Sequence, residues 1–120
     1  MLKLTSFLLS SENPKKLAVF YKKVFNIDPS WSEGDWSGFD VGGGSIAIGP
    51  HDKVKGKNTF PERMMFNLET KDVKGEFDRI KGYGAKVIAK PYKMGDQGDM
   101  WIATFADPDG NYFQLTTPWN

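Results

Sequence analysis

The same order of elements occurs twice in this chain, and that repetition limits the fold more than any single motif. In the first half Leu2–Ser10 reads as a strand, and Asn13 followed by Pro14 reads as a helix N-cap with proline in the first turn. Pro14–Asn26 then sets Leu17, Phe20, Tyr21 and Val24 at helical spacing, with Lys15, Lys16, Lys22 and Lys23 on the other side. Short strands follow around Ser30–Glu33, Trp36–Val41 and Ser45–Ile48, separated by Glu33-Gly-Asp and Gly42-Gly-Gly turns. The second half repeats this order. Arg63–Glu69 is a strand, Asp72 an N-cap, and Val73, Phe77, Ile80 and Tyr83 an apolar helical stripe stopped at Gly84. Strands then run over Lys86–Lys90, Asp99–Phe105 and Asn111–Thr116. The reading is one α+β domain of two βαβββ modules, about 2–50 and 63–118. The polar, basic stretch 51–62, carrying Lys53, Lys55 and Lys57, reads as a solvated linker.

Two alignments tie the halves together. Setting Asn13 against Asp72 brings Ser6 opposite Met65, and setting Gly44 against Gly110 brings Ile48 opposite Gln114. The last turn, Asp107-Pro-Asp-Gly-Asn, combines a preset φ at Pro108, Asp side chains able to bond nearby amides, and Gly110 where φ > 0 is cheap. Asp107 and Asp109 are thereby explained by the turn.

Composition removes several function classes. The chain has no cysteine, which excludes disulfides, thiol catalysis and cysteine metal sites, and a single histidine, His51. A formal charge of +1 leaves no footprint for nucleic acid or an anionic membrane. The opening run Met1-Leu-Lys-Leu-Thr-Ser-Phe-Leu-Leu is too short for a signal-peptide core or a membrane span, so a cytoplasmic protein is expected. Aromatic residues are 14% of the chain, and most of the phenylalanines fit a packed core. Trp31 and Trp36 sit among Ser, Glu, Gly and Asp, where core packing and the wall of a cavity or interface are both open readings.

Phe20-Tyr21, the repeated strand–helix–three-strand order, Gly84-Ala85 and Asp107-Pro-Asp-Gly-Asn together resemble the vicinal oxygen chelate superfamily over essentially the whole chain. This is the group of glyoxalase I, extradiol dioxygenases, methylmalonyl-CoA epimerase and the bleomycin and fosfomycin resistance proteins. The resemblance implies eight strands in a curved open sheet around a cavity, with both helices outside, and commonly a homodimer. It also implies where a metal would be held: by His or Glu on the first strand of each module and on the last strand. Those positions hold Ser6, Met65 and Gln114, with Ile48 as the fourth equivalent, and none is a histidine or a carboxylate. Hydroxyl, thioether and amide are poor donors for the divalent ions such sites take. No metal and no other cofactor is expected, and no residue is singled out as catalytic.

With the metal set aside, period-two parity groups Ser6, Leu8 and Ser10 on one face, then Met65, Asn67 and Glu69, then Tyr112, Gln114 and Thr116. Such a wall, mostly apolar with a few neutral polar groups, suits a small-molecule pocket. The ligand-binding candidates are Ser6, Trp36, Ile48, Met65, Asn67, Trp101, Tyr112 and Gln114, with Trp36 and Trp101 as aromatic walls. Met64 is expected in the core beneath the second helix. A homodimer binding a small planar or hydrophobic molecule is the leading expectation. A lyase, isomerase or dioxygenase-like enzyme with an atypical site, and an interaction module with a filled cavity, are the alternatives.

Overall fold

A computed structural model describes residues 1–95 and 98–118, so Trp119 lies outside the described residues. The chain divides into two compact units, Met1–Gly56 and Lys57–Asn120. Each unit carries one βαβββ module with an open four-stranded mixed sheet, and together they make an α+β fold.

In the first unit the elements are β1 (Ser6–Ser10), α1 (Pro14–Phe25), β2 (Trp31–Glu33), β3 (Trp36–Val41) and β4 (Gly44–Gly49). The spatial order is β1-β4-β3-β2, with β1 parallel to β4 and the other pairs antiparallel. Leu17, Ala18, Tyr21 and Val24 form the buried stripe of α1. The helix ends at Asn26, which takes φ 57° as an αL cap and donates its N–H to the Lys22 carbonyl. Two-residue loops, Gly34-Asp35 and Gly42-Gly43, join the three antiparallel strands. Their glycines take φ of +59°, +57° and +97°, the positive values that tight hairpin loops demand.

In the second unit the elements are β5 (Phe66–Glu69), α2 (Val73–Gly82), β6 (Lys86–Lys93), β7 (Trp101–Ala106) and β8 (Tyr112–Thr116), ordered β5-β8-β7-β6. Val73, Phe77 and Ile80 are the buried face of α2. Aromatic rings stack through this core, with Phe105 5.1 Å from Phe77 and 5.6 Å from Phe113, and Phe66 5.8 Å from Phe113. Phe105 and Phe113 are fully buried.

Three local expectations are corrected. First, the strand read from Leu2 starts at Ser6. The Ser45 N–H still bonds the Thr5 carbonyl, but Leu2 and Leu4 lie beyond the end of β4 and are 99% and 95% exposed. Second, the strand read from Arg63 starts at Phe66, because Pro61–Arg63 forms a turn of 3₁₀ helix. Met64 therefore precedes the sheet and is exposed rather than packed beneath α2. Third, the two helix starts are not alike. Asp72 caps α2 by accepting the Gly75 N–H at 3.0 Å, whereas the Asn13 side chain makes no such bond, and the buried Ser11 hydroxyl accepts the Asn13 N–H instead. Asp72→Ala is accordingly expected to lower stability by about 1 kcal/mol, and Asn13→Ala by distinctly less. Thermal melting of the two variants checks this.

Candidate functional site

Each helix covers one face of its own sheet, and the other face holds most of the candidate residues. In the first unit Phe39 fixes the sides, since its ring lies 5.4 Å from that of Phe25 on α1. Residues opposite one another on neighbouring strands point the same way. Phe39, Ile46 and Phe7 therefore share the helix-covered face, as do Leu9 and Ile48 one pleat further along. The opposite, open face carries Ser6, Leu8 and Ser10 on β1, and Ser45, Ala47 and Gly49 on β4. Trp36, Gly38 and Asp40 on β3 complete it with Trp31 and Glu33 on β2.

In the second unit the Phe105–Phe77 stack sets the helix side, which Phe113 and Phe66 share by register. The open face then carries Asn67, Gln114 and Thr104 in one row across three strands, flanked by Glu69 with Thr116 and by Tyr112 with Ala106. The Gln114 amide nitrogen donates to the Thr104 hydroxyl at 3.1 Å. That bond orients the amide and leaves its carbonyl oxygen as the acceptor Gln114 has to offer. Met65 stands just before β5 with the parity of Asn67 and is half-exposed.

Two of the candidates read from the sequence do not belong with these residues, which corrects the expectation. Ile48 is fully buried on the side of α1. The row Phe7–Ile46–Phe39 corresponds to Phe66–Phe113–Phe105, so the counterpart of Gln114 is Ala47. The glycine alignment slipped by one residue because the hairpin loops differ. Gly42-Gly43 closes the first, whereas Asp107 and Asn111 continue the ladder in the second (N–H to carbonyl, 2.8 Å) and three residues close it. An odd difference in loop length inverts side-chain parity. Trp101 likewise has the parity of Ala103 and Phe105 and lies on the side of α2, where the Lys74 ammonium sits 4.1 Å from its ring centroid. It lines a groove of about 290 Å³ beside the start of α2, together with Lys71, Asp72 and Thr117.

The residues that sequence reasoning left undecided prove the more distinctive. Trp31 lies across Gly38, its register partner, so that a Cβ at Gly38 would collide with the indole. Trp36 lies in the same way across Gly49. Each indole rests flat on bare backbone, which only glycine allows. Trp31 remains 47% exposed and Leu8, in the same row as Gly38 and Ala47, 56%. This arrangement was legible in principle. Counting outward from the two-residue loops places Trp31 opposite Gly38 and Trp36 opposite Gly49.

Among the described strand residues the open faces carry three carboxylates, Glu33, Asp40 and Glu69, at none of the positions that the family resemblance gives to metal ligands. The ligand positions hold Ser6, Met65, Gln114 and, after correction, Ala47. Among the described residues no three His, Cys, Asp or Glu side chains stand together in a way that could hold an ion. His51 lies outside both sheets, its Nδ1 accepting the Lys53 N–H at 3.1 Å. Among the described residues no helix is long and apolar enough to cross a membrane.

Comparison with known proteins places this geometry. The sequence profile of the glyoxalase-like domain matches residues 6–116. A glyoxalase/bleomycin resistance protein/dioxygenase family enzyme from Burkholderia phytofirmans PsJN superposes with a TM-score of 0.76 at 20% identity, over 97% of this chain and 98% of that one. A glyoxalase-related enzyme from Fulvimarina pelagi gives 0.78 at 14% identity, over 98% and 89%. The genomically encoded fosfomycin resistance protein FosX from Listeria monocytogenes gives 0.70 at 19%, over 99% and 93%. At these identities the superpositions speak to the fold alone. No functionally curated protein matches the sequence.

Proposed function

The chain belongs to the glyoxalase-like domain family, and we propose that within it this protein binds a small planar or hydrophobic molecule without using a metal. The observation that carries this reading is the pair of indoles laid flat on Gly38 and Gly49 across the open face of the first sheet. A core tryptophan is enclosed on all sides, whereas Trp31 keeps about half its surface accessible at 47%. Aromatic faces held flat by the backbone lose little side-chain entropy when a ring stacks on them. Leu8 and Ala47 supply apolar surface beside them, and Ser6 a neutral hydroxyl. On the second unit's open face, Asn67, Gln114, Tyr112 and Met65 are the corresponding proposed contacts, with Gln114 oriented by Thr104. A bleomycin resistance family and a fosfomycin resistance protein are among the proteins that share the fold.

We place the protein in the cytoplasm as a homodimer. The support for a second copy is that Leu2, Leu4 and Leu8 in the first unit and Phe60 and Met64 in the second are exposed apolar side chains, whose removal from water favours association.

Titration with quinoline, a neutral planar probe, tests the binding reading through the change in tryptophan fluorescence. Trp36→Ala is expected to weaken binding by about two- to twelvefold, from stacking worth about 0.5–1.5 kcal/mol beyond area burial. Undiminished affinity in that variant, or no response in the parent protein, would refute it and favour an interaction module.

A further inference from the structure

Resting on the binding reading above, we propose that the tryptophan platform of the first sheet is built for planar cations. Among the described strand residues of this sheet only Glu33 and Asp40 are ionisable at neutral pH, and both stand on the open face with the indoles. Glu33 is the register partner of Trp36. The Trp36 indole lies across Gly49 on β4, on the far side of β3 from β2, so it extends away from Glu33; Glu33 instead follows Trp31 by one pleat on β2. Asp40 follows Gly38, the residue beneath Trp31, by one pleat on the same strand. Each indole has one face against a glycine and the other turned away from the sheet.

An indole face is the negative end of an aromatic quadrupole and attracts a cation held over it. Two carboxylates, Glu33 and Asp40, stand in the rows on either side of the Trp31–Gly38 row and add to that field. Both side chains are exposed, and among the described residues neither enters an ion pair. The nearby turn carboxylate, Asp35, is different, because Lys15 lies 3.7 Å from it. The strands of this sheet carry no lysine or arginine that would neutralise the platform. A flat, positively charged ring satisfies both features at once. A neutral ring uses only the stacking surface, and an anionic ring meets repulsion.

The test is calorimetric titration of the full chain at mildly alkaline pH with three probes of one shape: 1-methylquinolinium, neutral quinoline and quinoline-3-carboxylate. The cation is expected to bind about tenfold more tightly than quinoline, and the carboxylate more weakly than both. In the Glu33→Gln/Asp40→Asn double variant the preference for the cation should shrink at least about threefold, with an unchanged melting temperature because both sites are exposed. Equal affinity for the cation and quinoline overturns the charge selection, as does a preference that survives the double variant; both results leave the binding reading standing. Cation binding that persists in the Trp31→Ala/Trp36→Ala variant lies elsewhere and overturns it too. If none of the three probes binds, both readings fall.

Discussion

Replacing Phe105 by alanine is expected to lower the unfolding free energy by about 3–5 kcal/mol, the range for removing a fully buried phenylalanine. Phe105 is 0% exposed and stands in the middle of the aromatic stack, between Phe77 of α2 and Phe113 of β8. Truncation forfeits the transfer energy of the ring and leaves a cavity walled by two rings that β8 and α2 hold in place. Close packing cannot collapse around such a void without moving those elements. Urea unfolding followed by circular dichroism measures the effect. With slopes of about 1–3 kcal/mol/M, the midpoint should fall by at least about 1 M. Met64→Ala, at a site 81% exposed, should stay within about 0.5 kcal/mol of the parent. Comparable losses in the two variants would mean that the stack is not the centre of the second unit's core.

Asp107→Ala is expected to cost about 2–4 kcal/mol, from hydrogen bonds to a charged group worth about 1.5–3 kcal/mol each and only partly recovered by water. Asp107 is 5% exposed, and its Oδ1 accepts the N–H groups of Asp109 (2.9 Å) and Asn111 (3.0 Å). Its Oδ2 accepts the Asn111 side-chain amide at 3.0 Å. Asn111 is held in that orientation because its own oxygen accepts the Asn58 amide at 3.0 Å. Asp107→Asn should therefore fall between the parent and the alanine variant. An asparagine oxygen can keep the two backbone donors, but its amide then faces the Asn111 amide, and turning Asn111 over breaks the bond to Asn58. Denaturation of the three proteins ranks them, and an asparagine variant as stable as the parent would show that the second carboxylate oxygen contributes nothing.

Much of the fold was legible in local pattern. The apolar spacing of Leu17, Tyr21 and Val24 and of Val73, Phe77 and Ile80 marks two helices that bury those residues. The Asp-Pro-Asp-Gly-Asn turn, whose aspartate bonds its own loop, was equally plain. Strand limits were harder to read, because a strand lasts only as long as its neighbour. Leu2 and Leu4 have the composition of a strand but no ladder. Lys86–Lys93 runs past the expected Lys90 because β7 continues alongside, and Pro91 is tolerated since β6 is an edge strand. For four of the candidates the sheet face was legible. Ser6, Asn67, Tyr112 and Gln114 follow from period-two counting, and the structure puts each on an open face. Ile48 and Trp101 failed because loop length and the side on which the helix packs both enter parity, and neither is a property of the strand alone.

The residues themselves determined that the positions which the family resemblance gives to metal ligands carry no imidazole or carboxylate, and the hairpin loops determined which residues stand opposite one another. Only the tertiary structure decided which face each helix covers. With that decision Ile48 and Trp101 go to the helix side, and Trp31 and Trp36 are left on the open one. The physical reason is that a strand's alternation fixes two faces but labels neither. The label comes from the packing of Phe25 on Phe39 and of Phe77 on Phe105, contacts between segments far apart in the chain.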